Sequence, residues 1–290
     1  MRKIIDESFV KKNRRHKRDL VSLLLYISVN VAALITLTAL IFIIAYILIK
    51  GIPYLSTDLF AWEYTTENVS LLPALINTIL MTILSLAVAV PVGVGSAIYL
   101  TEYAGRGNRL VSIIRITAET LSGIPSIVYG LFGSIFFVSL CGFGLSLLSG
   151  ALTLAIMILP LIMRSTEEAL IAVPDMYREG SFGLGAGKLR TVFKILLPCA
   201  MPGIISGIIL AIGRIVGESA ALIFTAGTIA SVAKNVFSST RTLAVHMYAL
   251  SGEGLYINQT YATAVMLLVL VIVINALSEL VAKKLGGNDE

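Results

Sequence analysis

Hydrophobic residues form long uninterrupted runs along this chain, and only a few short charged segments separate them. Residues 20–49 and 68–101 contain no charged side chain, and neither do residues 120–163. An α-helix rises about 1.5 Å per residue, so about 20 apolar residues cross the hydrocarbon core of a bilayer. The first two runs therefore each predict one membrane-spanning helix. The second would begin near Pro73 and contain Pro91.

The longest run is about twice the length of one span, so it is expected to fold back on itself. We place this reversal around Gly142, Gly144 and Gly150, which gives helices three and four. A fifth helix is predicted over roughly Ala200–Ala226 and a sixth over Ala262–Ala282. The hydrophobic pattern thus predicts an all-α integral membrane protein with about six transmembrane helices.

One helical segment differs from the spans because it is amphipathic. Arg109–Leu121 repeats apolar residues at helical spacing with charges between them, which predicts a surface or gate helix ahead of helix three. The sequence Gly123-Ile124-Pro125 would end this helix.

Composition and charge agree with this interpretation. Hydrophobic residues make up 57% of the chain and charged residues 13%, about half the share in a soluble domain. Eighteen of the 22 Lys and Arg residues fall on one side of a six-span layout, and only Lys50, Lys234 and Arg241 on the other. The positive-inside rule then predicts that both termini are cytoplasmic. Cys141 and Cys199 lie near opposite faces in this layout, so no disulfide is predicted.

The cytoplasmic loop at residues 164–198 has an ordered composition. Pro174 suits the first turn of a short helix, a series of glycines follows, and Lys188–Leu197 is a second amphipathic segment. Composition alone leaves open an ordinary solvated loop. The alternation of helix, glycines and helix favours a docking surface for a partner.

Part of this loop superficially resembles a phosphate-binding loop. Phe182 stands where that motif needs its first glycine, and Leu189 follows Lys188 in place of Ser or Thr. The chain is therefore predicted to have no ATP site of its own.

The loop resembles the signature loop of ABC-importer permeases. That pattern is Glu-Ala-Ala, three residues, Gly, nine residues, Ile, one residue and Leu-Pro. The matching positions here are Glu179, Gly180, Ser181, Gly185, Ile195, Leu197 and Pro198. The spacing agrees throughout, and Gly180 and Ser181 replace the two alanines. The resemblance implies a type I ABC-importer permease (MetI-like) fold, in which residues 174–187 hold the coupling helix that docks on an ATPase subunit.

Two further stretches are similar to the permeases of the phosphate importer. Glu119–Leu131 resembles their third-helix motif and Gly213–Ala220 their fifth-helix motif. The continuation Ala221–Gly227 is closer to the A-type subunit than to its C-type partner. The resemblance covers about residues 70–282.

The expected layout has four parts. Residues 1–19 form a basic cytoplasmic tail, 20–70 the first transmembrane helix and an outer loop, 71–282 the permease transmembrane domain, and 283–290 a second cytoplasmic tail.

Arg214 and Glu218 are the charged residues that the sequence places within a span. On one helix they would lie four residues apart on the same face, away from lipid because a charge at the bilayer centre costs about 2.5–3.5 kcal/mol. Two interpretations stay open: an ion pair that only locks helices together, or a cation on the path of an anion with Glu218 positioning it or closing a gate.

Arg115 and Glu119 repeat the same spacing near the cytoplasmic mouth, and Arg164 is expected to end helix four. For the pair, an interfacial ion pair and a gate are alternatives. For Arg164 the alternatives are an arginine that extends to the membrane surface and a residue at the exit of an anion.

The resemblance also implies partners and a location. These are a second homologous permease, two ATPase subunits that bind ATP and Mg²⁺, an extracytoplasmic phosphate-binding protein, and the bilayer of a bacterial inner membrane. This chain would bind no cofactor or nucleic acid and would not itself be an enzyme. The alternatives are an importer of another oxyanion or small solute, and, from a different class, a membrane-embedded enzyme or a passive channel.

Overall fold

The computed structural model describes residues 20–104 and 108–285, and this part of the chain is helical without a β-strand. The predicted tail of residues 1–19 lies outside the described residues, as do residues 286–290 of the second predicted tail. The helices are α1 Leu20–Gly51, α2 Leu72–Tyr103, α3 Arg109–Ser122, α4 Ser126–Leu140, α5 Leu147–Ala172, α6 Asp175–Gly183, α7 Lys188–Val216, α8 Ala220–Thr225, α9 Leu243–Glu253 and α10 Ile257–Leu285.

The chain divides into two compact units, Met1–Ile49 and Lys50–Glu290. The described part of the first unit is most of α1, an apolar helix whose first charged residue is Lys50 at its end. The second unit contains the remaining helices and all the site residues considered below.

Five described helices are long and apolar enough to cross a membrane, and a sixth span exists if α3 and α4 are counted as one bent span. The predicted third helix is present as α4, with 8 α-helical and 7 π-helical residues. At about 22 Å it is shorter than the hydrocarbon core, so α4 does not form a full span by itself. The chain bends by 103° between α3 and α4. The prediction that the Gly123–Pro125 sequence ends the amphipathic helix is confirmed, since α3 ends at Ser122.

The reversal between helices three and four is confirmed at two of the three glycines. Gly142 and Gly144 connect α4 to α5 with φ of 71° and 64°, a left-handed conformation that glycine adopts without a steric penalty. Gly150 instead lies inside α5, where an added Cβ would meet side-chain atoms of Met81 and Ala226 within 3 Å. It permits close helix packing and is not part of the turn.

The fifth span differs at both ends from its prediction. The helix α7 begins at Lys188, because the amphipathic segment of the loop continues without a break into the membrane helix. It ends at Val216, and residues 220–225 form the separate short helix α8. The two cysteines are free, as predicted.

The core of the second unit is centred on α5, which packs against α2, α7, α4 and α8. Met81 from α2, Leu154 and Ile158 from α5, Ile215 from α7 and Leu222 from α8 are all buried in one cluster. Because α5 contacts helices that precede it and helices that follow it in the sequence, a displacement of α5 reaches much of the unit.

Two polar residues of α2 hold the irregular segment 226–242. The Asn77 amide donates to the carbonyl oxygens of Ser231 (2.9 Å) and Arg241 (3.3 Å), and its oxygen accepts from the Ala233 N–H (3.0 Å). The Thr78 hydroxyl accepts from the Leu243 N–H at 2.8 Å, at the start of α9. These bonds satisfy backbone groups that no helix satisfies.

Gly130 allows α4 to contact α8 closely, and we expect Gly130→Ala to separate them. An added Cβ would lie 2.7 Å from the Ala221 Cα, a backbone atom that cannot turn aside. The expected cost is about 1–3 kcal/mol, seen as a lower thermal unfolding midpoint of the detergent-purified protein. Gly95→Ala is the matched control, since nothing lies within 4 Å of the Cβ there. Equal midpoints for the two variants would contradict the close packing.

Candidate functional site

The loop between α5 and α7 forms the short helix that its sequence predicts. Pro174 precedes α6 as its N-cap residue, and Asp175 supplies an acidic side chain in the first turn. The helix ends before Gly185, which has a φ of 81°. A left-handed residue is needed at this point, and glycine takes that conformation most easily. Gly180 lies inside α6, where nothing is within 4 Å of an added Cβ.

The turn between α6 and α7 is closed by side chains. Ser181 is buried, and its hydroxyl is 2.8 Å from that of Thr191 in α7. The Ala186 N–H donates to the Ser181 carbonyl oxygen at 3.1 Å. The serine that replaces an alanine of the family pattern therefore holds the start of α7 against α6.

The same loop exposes apolar side chains. Residues of this kind that face solvent on α6, the following turn and the start of α7 are Met176, Tyr177, Phe182, Leu184 and Leu189. Glu179 is also exposed. Exposed apolar side chains grouped in this way are typical of a surface that contacts another protein. Ile195, Leu197 and Pro198 instead lie in the first turns of α7, where Leu197 packs against a buried cluster that includes Leu196 and Leu170.

Arg178 anchors α6 to the rest of the protein, and the sequence interpretation missed it. Its Nε and Nη2 atoms lie 3.2 and 2.8 Å from Glu102 Oε1, at the end of α2. It also donates to the carbonyl oxygens of Leu170 (2.9 Å) and Val173 (2.8 Å), and to Asp175. The sequence shows both charges next to predicted spans, but they are 76 residues apart, so only the fold reveals the pair.

The charged residues of α3 do not pair as their spacing suggested. Arg115 forms an ion pair with Glu167 of α5, and Glu119 lies 3.7 Å from Arg164. The predicted i,i+4 contact between Arg115 and Glu119 is wrong, because both side chains point across to α5. Two ion pairs therefore join α3 to α5 in antiparallel register. Glu167 was not singled out from the sequence.

Arg164 lies inside α5 and not at its end, since that helix continues to Ala172. Besides its contact with Glu119, its Nε atom donates to Glu168 Oε1 at 2.9 Å. The description of Arg164 as a simple marker of the membrane surface is therefore replaced by an ionic role between helices.

Arg214 and Glu218 are not an ion pair on one helix face. Gly217 ends α7, so Glu218 lies beyond the helix and the i,i+4 relation is lost. The buried carboxylate of Glu218 accepts from the Ala221 N–H at 3.0 Å and caps the start of α8. A carboxylate at this end is favoured by the partial positive charge of the helix N-terminus.

Arg214 has no hydrogen bond or ion pair with any residue that the structure describes. It is partly exposed, and it interacts electrostatically with Tyr129 of α4. The Tyr129 hydroxyl donates to the Leu121 carbonyl oxygen at 2.7 Å, next to the bend between α3 and α4. Arg214 is therefore a cation without a carboxylate partner among the described residues, and its charge acts on Tyr129, a residue bonded next to the bend between α3 and α4.

A cluster of one arginine and two aromatic rings lies near the start of α2, where Asn77 donates to the Arg241 carbonyl oxygen. The Arg241 guanidinium stacks over the Tyr64 ring, 4.6 Å from its centroid, and the His246 ring meets Tyr64 edge-on at 6.0 Å. Both Arg241 and His246 are buried. Burial and the positive charge of Arg241 lower the pKa of His246 to about 3. His246 is thus a neutral packing residue at physiological pH.

We expect Arg178→Ala to release α6, because it leaves the buried Glu102 carboxylate without its cation. Breaking a buried ion pair costs about 3 kcal/mol, which should increase hydrogen–deuterium exchange in residues 175–183. Arg190→Ala is the control, since Arg190 is exposed on α7. If both variants exchange like the wild type, Arg178 does not anchor the helix.

His246 also predicts a dependence of stability on pH. In the unfolded chain His246 is protonated below about pH 6.5, whereas in the folded protein it stays neutral down to about pH 3. Between these values each pH unit of acidification lowers the free energy of unfolding by about 1.4 kcal/mol. Stability should therefore fall on acidification, and less steeply in His246→Phe, which keeps an aromatic ring beside Tyr64. The measurement is the unfolding midpoint between about pH 7 and 5, with His16→Gln as the control for the other histidine. If the midpoint falls equally with pH in the wild type and in His246→Phe, His246 is not the source of the pH dependence.

Comparison with known proteins identifies the family. The family model described as binding-protein-dependent transport system inner membrane component matches residues 89–287. The probable ABC transporter permease protein YqgI of Bacillus subtilis is 35% identical over 246 residues, which are 78% of this chain and 82% of that protein. The phosphate transport system permease protein PstA of Haemophilus influenzae is 33% identical over 254 residues, 86% of this chain and 89% of its own length.

A solved structure supports the fold. A chain from the crystal structure of a bacterial alginate ABC transporter, in complex with its alginate-bound periplasmic protein, superposes with a TM-score of 0.67 at 16% identity. The match covers 91% of this chain and 95% of that one. The relatives are permeases and not enzymes, and their fold is the MetI-like one expected from the loop. The chain belongs to the family of inner-membrane components of binding-protein-dependent transport systems.

Proposed function

We propose that this chain is the pore-forming permease subunit of an ATP-driven importer of inorganic phosphate. The observation that carries the proposal is its identity to phosphate transport permeases, 33% over 86% of the chain for the Haemophilus influenzae protein. In the complete importer it pairs with a second homologous permease, two ATPase subunits supply ATP hydrolysis, and an extracytoplasmic phosphate-binding protein delivers the substrate.

The loop of α6 is the surface on which an ATPase subunit docks. Its exposed apolar side chains provide the contact, and Glu179, Gly180 and Gly185 occupy the family positions of a coupling helix. Arg178 of this helix is bonded to the end of α5 and to Glu102 of α2. These bonds transmit a displacement of α6 to both spans. ATP and Mg²⁺ belong to the ATPase partner, and this chain holds neither.

Arg214 is the residue that attracts the anion within the membrane. It has no carboxylate partner among the described residues, so its charge is available to a passing oxyanion. Its place beside Tyr129 and the α3–α4 bend puts it where the broken span changes direction. Glu218 acts indirectly, by fixing α8 next to α4.

The ion pairs between α3 and α5 form the cytoplasmic gate. Arg115 with Glu167 and Arg164 with Glu119 hold the amphipathic helix against the central span in this conformation. Switching between inward- and outward-open states requires these contacts to rearrange, driven by the ATPase partner. The α6 side of the membrane is cytoplasmic in this proposal, and so are both termini, as the Lys and Arg distribution predicts.

Uptake by the reconstituted complex tests the proposal. Proteoliposomes with the complex, the binding protein and ATP should accumulate labelled phosphate, and excess sulfate or molybdate should compete little. Arg214→Gln should reduce uptake by about tenfold or more, the effect of losing one charge-assisted contact. Arg190→Gln, which removes an exposed arginine of α7, is the matched control.

Different outcomes identify the alternatives. Preferential uptake of sulfate or molybdate would indicate an importer of another oxyanion, and phosphate flux without ATP would indicate a passive channel. Normal uptake by Arg214→Gln would remove Arg214 from the path while leaving the transport function in place.

A further inference from the structure

A cavity of about 980 Å³ opens at the α6 side of the unit. Its wall is formed by the last turn of α2, the first two turns of α3 with Ala104 and Asn108 ahead of them, Ile171 at the end of α5, and the α6–α7 segment. The charged residues of this wall are Glu102, Arg109, Arg115, Asp175, Arg178 and Lys188. None of the transport roles proposed above uses the cavity itself.

Both acids of the wall bond to the same cation. Arg178 pairs with Glu102 and with Asp175, so these three residues together keep one negative charge. Arg115 pairs with Glu167, which lies outside the wall. Two cations of the wall remain without a carboxylate partner in the described part of the chain, Arg109 and Lys188.

These two cations reach the cavity from different elements. Arg109 is the first residue of α3, and Lys188 is the first residue of α7, where its ammonium lies 5.1 Å from the centroid of the Tyr103 ring. Arg109 is in an unfavourable place for a cation, because the N-terminus of a helix carries partial positive charge and α3 has no acid in its first turn. A bound anion would relieve this repulsion.

The surroundings of the cavity match a membrane surface. On α3, Leu110, Ile113 and Ile116 are exposed by 59–65%, an apolar face that suits insertion at the boundary between headgroups and acyl chains. With α3 at this boundary, a cavity that begins on the helix would lie at the depth of lipid phosphates. Basic pockets between transmembrane helices on the cytoplasmic side bind phosphate-bearing head groups.

We propose that this cavity binds a phosphate-bearing anion between Arg109 and Lys188. The anion is the headgroup of an anionic phospholipid or free inorganic phosphate, since both present the same oxyanion to the two cations. Bound there, it links α3 to the start of α7 beside the docking helix. This inference depends on the cavity and not on which solute the chain transports.

The experiment compares Arg109→Gln/Lys188→Gln with Arg190→Gln in the purified full-length chain. Arg190 is an exposed cation two residues from Lys188 that does not line the cavity, so it controls for lost charge. In the lipid arm, native mass spectrometry measures retained phosphatidylglycerol after reconstitution in mixed phosphatidylcholine and phosphatidylglycerol nanodiscs. In the phosphate arm, inorganic phosphate is titrated in detergent without lipid, with thermal protection as the readout.

We expect the double variant to lose about tenfold in affinity for each charge removed, in one of the two arms. Loss of lipid retention identifies a headgroup, and loss of phosphate protection identifies the free ion; either result requires Arg190→Gln to behave as the wild type. Substrate phosphate bound elsewhere, as at Arg214, would persist in the double variant and is thereby distinguished. Equal binding by all three proteins in both arms would overturn the proposal. The proposal would also be overturned if an ATPase subunit alone protected the cavity wall from hydrogen exchange, because a protein segment would then fill the cavity.

Discussion

A backbone N–H or C=O group in the hydrocarbon core of a bilayer needs a partner within the protein, because neither lipid nor water supplies one there. Helices meet this requirement locally, and the difficulty arises wherever a helix stops. In this chain α3 and α4 are interrupted at Gly123–Pro125, and α7 and α8 at Gly217–Ser219. Each interruption is bonded to something specific: the Leu121 carbonyl to the Tyr129 hydroxyl, and the Ala221 N–H to the Glu218 carboxylate.

The same requirement explains the polar residues of the spans. Asn77 and Thr78 lie in the mostly apolar helix α2, and their side chains satisfy backbone groups of the irregular segment that follows α8 and of the start of α9. Arg214 lies three residues before the interruption at Gly217, which is where the proposed function needs a charge to meet the solute. Broken helices around a binding position are a recurrent way for membrane proteins to build such a path.

Ion pairs divide into those that fix the structure and those that hold one conformation. Arg178 is mostly buried and bonded to a carboxylate and two carbonyl groups of other elements, so breaking it is costly. Arg164 and Glu119 are largely exposed and 3.7 Å apart, so their contact is weak and reversible. The Arg178 contacts connect α6 to α2 and α5, and the Arg164–Glu119 contact is weak enough to open if α3 and α5 move apart.

The sequence by itself determined the class of the protein, most spans and the short helix of the loop. It did so because hydrophobic runs, Pro174 and Gly185 act locally, through helix geometry and backbone conformation. The tertiary structure alone decided which charges meet. Arg115 pairs with Glu167 and not with Glu119. Glu218 caps α8 and does not pair with Arg214, and Arg178 pairs with Glu102, which is 76 residues away in the sequence. Ion pairing depends on the distance between side chains of different helices, and that distance cannot be predicted from the spacing of residues along one helix.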